Sequence, residues 1–442
     1  MPTQPLGPTG LLAQSMTLPA GSQSMAMGGM GLRAQGMDGR KKGTASNWLG
    51  LSGDNTANWA IDGSVDGQGN LFLSGQTGGS TQLLIARYAP DGQRVWSGEV
   101  VGAYPGGTVS AGDIGAAAIA LDASGNVHAV SGNASTTVET RKYSPGGQLL
   151  WGRTYTAGTN AFGRAVAVGA SGSVYVLMRT DGGGFGGSTA LVVKYNAAGA
   201  FQWSRNVDTT VGYGLALDAS ENVYVGYNTL FKLNSAGSLQ WATQNTAGTI
   251  TTVNRMVANA AGNTYAAGFD FGGLAQLFAF DASGGVAWAR SLGTTGTWWN
   301  DVLLSGQSLY CIGATTQAGA GSNDILLAEY DTSGTLKWQR TIGGAGADYG
   351  FAIAEADANT LAIFGRTSLG AGGGDVFIGR VPKSGPPAGR IGPYTVTVSS
   401  LTASTISSTY SAFSPSTQTL GSDAASSLTD SAVSLTTSIY PF

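Results

Sequence analysis

One cysteine, one histidine and few charges set the first limits on this 442-residue chain. A lone Cys311 rules out an intrachain disulfide, and within SLYCIG it reads as a buried, inert thiol. A lone His128 leaves no Ser/His/Asp triad and no zinc site with the usual ligands. Charged residues make up 11% of the chain, well below the roughly 25% of an average soluble protein. The net charge of −3 gives no electrostatic case for nucleic acid, and the one basic run, Arg40-Lys41-Lys42, reads as a solvated linker. The opening MPTQPLGPTGLLAQSM lacks a basic start and a long apolar core, so no secretory signal is expected, and no stretch approaches the length of a membrane helix. The run GGGFGGST (182–189) joins two strands and opens no helix, which makes it a loop rather than a dinucleotide fingerprint. Asp62, Ser64, Asp66, Gly67 and Asn70 imitate a calcium loop, but Leu73 stands where a bidentate Glu belongs. No catalytic residue, cofactor or metal is expected, and the chain reads as a non-enzyme.

What is present is repetition. Trp48, Trp96, Trp151, Trp203, Trp241, Trp288 and Trp338 recur at spacings from 38 (Trp203 to Trp241) to 55 (Trp96 to Trp151). Each tryptophan but the first closes a phrase such as RYAPDGQRVW, KYSPGGQLLW or EYDTSGTLKW. Four residues before it stands a glycine: Gly92, Gly147, Gly199, Gly237, Gly284 or Gly334. A tight turn at positive φ explains that glycine. Ahead of each phrase lie a small apolar strand ending in a polar turn (AIALDASGN, LALDASEN) and an alternating strand (NLFLSG, NVYVGY, SLYCIG). Short strands at a period near 40–50 residues are the mark of a β-propeller. The expected fold is all-β: a seven-bladed β-propeller over residues 44–385, with extended arms at both ends.

The last unit is split. After Trp338 three more strands follow, and then Pro386 and Pro387 stand where a tryptophan strand belongs. The missing strand is at the other end, in SNWLGLSG around Trp48, and is expected to close the ring. Residues 1–43 hold six of the eight methionines among Gly, Pro, Gln and Ser, a composition suited to docking on an irregular surface. Residues 386–442 are rich in Ser and Thr, with only Asp423 and Asp430 charged after Ile391. Such a segment is expected to lie across a neighbouring molecule and add a strand to its sheet.

In a four-stranded meander the first and third turns share one end, and here they are short and regular; the second turns and inter-blade connections share the other, and they vary. Irregular loops on a repeat scaffold are where function collects. Near that end, aligned first-strand positions carry Trp59, Phe162, Trp298 and Tyr349, with Tyr213 and Trp299 beside them, as a candidate binding face for sugars or partners. The phrases ALDASGN, NVYV and KYNAAGAFQW resemble the bacterial seven-bladed β-propeller repeats and, more distantly, the NHL and quinoprotein repeats. The resemblance spans about residues 44–385 and implies the fold; these repeats serve binding, adhesion and catalysis alike. Quinoprotein dehydrogenases are disfavoured by the missing vicinal cysteine pair and acidic calcium cluster. A surface poor in charge, without an export signal and with two adhesive arms, leads us to expect a virion structural protein, a bacteriophage tail component for assembly and host attachment, multi-copy and binding other virion proteins through both arms. The alternative is a carbohydrate-binding adhesin or lectin-like propeller at the cell surface or outside the cell. A third reading is a propeller lyase or glycosidase, with no carboxylates to assign.

Overall fold

A computed structural model of the protein describes residues 47–442 apart from 54–57, 78–82, 101–116, 133–134, 182–187, 209–212, 247–250, 370–373, 413, 420–421, 426–429 and 433–435; the expected amino-terminal arm lies outside the described residues. Among these residues every regular element is a strand, and six sheets repeat one plan, an antiparallel meander of consecutive strands. The first sheet is Asn58–Val65, Leu71–Thr77, Leu83–Tyr88 and Arg94–Val100. The second is double. Its first half is Ala117–Leu121, Val127–Ser131 and Ser135–Tyr143; the strand Leu149–Val168 ends that half and begins the other, which continues through Val174–Asp181, Ser188–Tyr195 and Phe201–Val207. The third runs from Gly214–Leu217 to Leu239–Asn245, the fourth from Thr251–Ala258 to Val286–Leu292, and the fifth from Thr297–Ser305 to Leu336–Gly343. In the sixth, Tyr349–Glu355, Thr360–Thr367 and Asp375–Pro382 are completed by Trp48–Gly53, which pairs antiparallel with Trp48 opposite Arg380.

The first strand of each meander packs beside the next, from Asn58–Val65 onto Ala117–Leu121, then Leu149–Val168, Gly214–Leu217, Thr251–Ala258, Thr297–Ser305 and Tyr349–Glu355, and back to Asn58–Val65. Local chemistry explains the regular end. Asp122 Oδ1 accepts the amides of Ser124 and Asn126 at 2.9 and 3.0 Å, and Asp218 does the same for Ser220 and Asn222. A short side-chain acceptor folding the chain back on itself is what the recurring DASGN phrase encodes.

The tryptophans link one sheet to the next. Gly92, Gly147, Gly199, Gly237, Gly284, Gly334 and Gly385 all have φ between 79° and 89°. A Cβ at any of them would come within about 2.6–3.1 Å of a neighbouring atom, and in every case the tryptophan of the preceding meander lies against the glycine: Trp96 on Gly147, Trp151 on Gly199, Trp203 on Gly237, Trp241 on Gly284, Trp288 on Gly334, Trp338 on Gly385 and Trp48 on Gly92. At every one of these tryptophans but Trp151 the indole N–H adds a hydrogen bond to the carbonyl two residues before the glycine, as from Trp96 to Pro145 at 2.9 Å, Trp288 to Thr332 at 3.0 Å and Trp48 to Pro90 at 3.1 Å. Glycine is therefore required twice over, for backbone conformation and to admit the ring. Trp48 joins a core cluster with Leu73, Tyr88, Phe364 and Ile378, so it bonds the sixth sheet to the first.

The carboxy-terminal segment is not a free arm. After the hairpin of Gly389–Ile391 with Tyr394–Val398, short strands add to the outer edges of the sheets in reverse order. Tyr394–Val398 lies on the fifth sheet, Ala403–Thr405 on the fourth, Tyr410–Ala412 on the third, Thr417–Gln418 and Ser422–Ala425 on the two halves of the second, Asp430–Ala432 on the first, and Thr436–Pro441 on Trp48–Gly53. The strand addition expected on a neighbour is made within the same chain. Serine, threonine and alanine suit this role because small, β-tolerant side chains let a strand lie along an edge without displacing what is beneath. Larger residues anchor it at intervals: Tyr394 and Val396 are buried, and Tyr410 meets Phe280 at 4.9 Å between ring centroids. Every sheet edge of this kind is a template for unwanted pairing unless covered.

Trp48 is 1% exposed, whereas Trp241 is only half-buried; Ile439 of the last strand packs against the Trp48 cluster. We therefore expect Trp48→Ala to cost about 3 kcal/mol or more in chemical denaturation and Trp241→Ala distinctly less. Equal losses would contradict the difference in covering.

Candidate binding face

The aromatic positions are set by a repeated irregularity. A register shift interrupts the first strand between Ala60 and Asp62, Val253 and Arg255, Trp299 and Asp301, and Gly350 and Ala352. Opposite each bulge stands a glycine, Gly75, Gly268, Gly313 or Gly365, where a Cβ would fall 1.6–1.9 Å from the carbonyl oxygen of Trp59, Thr252, Trp298 or Tyr349. The strands approach too closely for any other residue, and the bulge re-aims the side chains around it. This is why each of these second strands carries a glycine two residues before its last residue.

Five of the six candidate residues are half-buried at this end, in two groups and one separate ring. Trp298 stacks on Tyr349 at 6.3 Å and 29°, Tyr349 stacks on Phe351 at 6.0 Å and 3°, and Asn323 Nδ2 donates to the Tyr349 hydroxyl at 3.0 Å. Phe162 and Tyr213 are joined by Arg164, whose guanidinium lies 5.3 Å from one ring centroid and 4.5 Å from the other; Arg179 adds a contact 5.1 Å from Phe162. Trp59 stands apart under Arg366, 4.4 Å from its ring. Trp299 does not belong to the face. It is 0% exposed in a core cluster with Leu309, Cys311 and Leu326, since adjacent residues on a strand point to opposite faces and only one of two neighbouring tryptophans can look outward.

Sequence reasoning missed the charged group beneath. Three residues after the aligned column come Asp62 and Asp301, both buried, and Arg255, half-buried. Arg255, on the fourth sheet, pairs with Asp62 of the first and lies 3.7 Å from Asp301 of the fifth. Asp62 Oδ2 accepts the Ile119 amide at 2.9 Å, and Asp301 Oδ2 accepts that of Ile353 at 2.9 Å. One ion group thus fastens five strands on five meanders. The same placement separates Asp62 from Asp66, which instead caps Gln68 and Asn70, so the imitation of a calcium loop dissolves. Among the described residues no three His, Cys, Asp or Glu side chains are grouped to hold a metal ion.

Burial pushes the Asp301 carboxyl up to about 7; Arg255 opposes the shift and Asp62 adds to it. A carboxyl raised from its unfolded value near ~4 holds a proton in the native state that the unfolded chain has released. Its contribution to stability is full below about pH 4 and is lost as pH rises through 7. Asp301→Asn, unable to titrate, should show a smaller fall in urea-unfolding stability between pH 4 and 8 than the parent chain; parallel profiles would show that Asp301 is not the group responsible.

Meanders of one pattern, packed first strand to first strand, define a β-propeller. No family model matches the sequence, and no curated protein matches it. Among solved structures the chain is similar to the WD40 β-propeller domain of Doa1, at 10% identity and a TM-score of 0.49 over 76% of this chain and 97% of that one. It is similar to YCF48 bound to a D1 peptide, at 12% identity and a TM-score of 0.44 over 77% and 97%, and to the polysaccharide lyase Uly1, at 8% identity and 0.44 over 76% and 99%.

Proposed function

We propose that this chain is a virion structural protein, a bacteriophage tail component in which a seven-bladed propeller closed by its amino-terminal strand acts as a non-enzymatic module for assembly and host-surface contact. The observation that carries the reading is the self-covered edge. With Tyr394–Pro441 paired along every outer strand, partners meet the loops and the half-exposed aromatics rather than open sheet edges. Low charge and the abundance of Gly, Ser and Thr match proteins that work outside cells. Docking to other virion proteins falls to residues 1–43, while the carboxy-terminal segment supports it by sealing the scaffold. A second reading, a lectin-like propeller at the cell surface or outside the cell, is favoured by the Trp298–Tyr349–Phe351 stack with Asn323 at its edge, a combination suited to sugar rings and hydroxyls.

Both readings meet in one experiment on particles assembled with variant chains. Deleting residues 1–43 should leave the melting temperature within a few degrees of the parent and abolish incorporation, whereas Trp298→Ala should be incorporated normally and weaken attachment to cells. Normal incorporation of the deletion with failure of Trp298→Ala would reverse the two roles.

A further inference from the structure

One large apolar side chain stands out at the variable end. Phe271 is 73% exposed, more than any other large hydrophobic residue among those described. It lies in the second turn of the fourth sheet, 270–273, between Thr264–Asp270 and Ala275–Phe280. That turn is closely tied. The Gly273 amide donates to the Asp270 carbonyl at 2.9 Å with φ at 73°, the Asp270 amide donates to the Leu274 carbonyl at 3.1 Å, and Asp270 Oδ1 accepts the Leu274 amide at 2.9 Å. A hairpin closed in this way fixes the backbone at Phe271 and holds its ring out from the sheet.

Single exposed apolar residues are ordinary on a protein surface, and what distinguishes Phe271 is where its turn is anchored. The Gly273 carbonyl accepts the amides of Gly296 and Thr297, both at 2.9 Å, and the next residue is Trp298. The Gly296 carbonyl accepts the Thr316 amide at 2.8 Å, while the Gln317 side chain accepts the Thr294 amide at 3.1 Å and donates to the Thr295 carbonyl at 2.7 Å. Farther on, the Ser322 amide donates to the Gly346 carbonyl at 3.1 Å and the Asp348 amide to that of Asn323 at 2.8 Å. Loops of the fourth, fifth and sixth sheets are thereby joined into one ledge, with Phe271 at one end and the Trp298–Tyr349 stack at the other. Two chain steps, one hydrogen bond and one further step separate the Cα atoms of Phe271 and Trp298, a span of less than about 20 Å.

We propose that this ledge binds a neutral linear oligosaccharide, with one sugar ring on Trp298 and another on Phe271. The inference rests on the lectin-like reading of the aromatic face and adds to it the ligand class and a second contact. Segments 271–274, 293–298 and 315–323 contain no charged residue, so an acidic glycan finds no cation here and an uncharged one loses nothing. On the turn that leads to Trp298, Thr294 and Thr295 are exposed, and their hydroxyls can both donate and accept, as sugar hydroxyls require. A lone sugar covers one ring, whereas a chain reaches both. Because the loops are already bonded to one another, little ordering is left to be done on binding.

Calorimetric titration of the full chain with maltotriose, cellotriose and chitotriose, beside glucose, N-acetylglucosamine and the acidic trigalacturonate, tests the ledge directly. At least one neutral trisaccharide should bind more tightly than its monosaccharide and than trigalacturonate. Phe271→Ala should keep the parent melting temperature and weaken that trisaccharide roughly fivefold, removing most of its advantage over the monosaccharide, and Phe271→Trp should restore it. Trp298→Ala should weaken both sugars. Trisaccharide binding lost in Trp298→Ala yet unchanged in Phe271→Ala would overturn the second contact and leave the lectin-like reading standing. Absence of saturable binding by any sugar would overturn both, and preference for trigalacturonate would overturn the neutral ligand.

Discussion

The contact on which this structure depends is an indole laid against a glycine of the next meander. A single four-stranded sheet cannot bury both of its faces, and its stability comes from pressing on neighbours. The tryptophan of the last strand supplies apolar surface at the rim, and the glycine removes the one methyl that would hold the sheets apart. Because Trp48 makes this contact with Gly92 from the opposite end of the chain, the same physics that joins any two meanders joins the sixth sheet to the first.

The centre and the rim are fastened by different means. At the centre, Asp62, Arg255 and Asp301 pin strands of separate meanders through one buried charge group, and such a group holds only when each partner is present. At the rim, Tyr394–Pro441 runs along the outer strands with two to six paired residues at each stop. Ser52 on the closing strand links the first sheet to the last strand, accepting from the Tyr88 hydroxyl at 2.8 Å and standing 2.9 Å from Thr437 Oγ1. Between centre and rim, the bulges and their facing glycines set which aromatics look outward.

Much of the fold was legible because it repeats. The strands, the turns and the displaced Trp48 strand all follow from one phrase compared with itself. The glycine four residues before each tryptophan was read as a turn residue, which is half its role; the other half involves a tryptophan some fifty residues earlier and leaves no local pattern. The carboxy-terminal pairing was invisible for a related reason: ASTIS and SDAAS could extend along any edge, and nothing in small polar residues names the edge. Trp299 was drawn into the candidate face by adjacency to Trp298, which strand alternation forbids. The charged group was within reach, since Asp62, Arg255 and Asp301 share one offset from the aligned aromatic column, but only the fold shows that the offset points three side chains at a common centre.

The central claim is that Trp48–Gly53 is an integral strand, held between Asp375–Pro382 and Thr436–Pro441. Its most direct test is the thermal unfolding of two truncations that differ by only twelve residues, one lacking 1–40 and one lacking 1–52. The first should melt with the full chain, and the second should melt at a sharply lower temperature with a broadened transition, having lost a central strand and its indole together. Coincident melting of the two would contradict the claim.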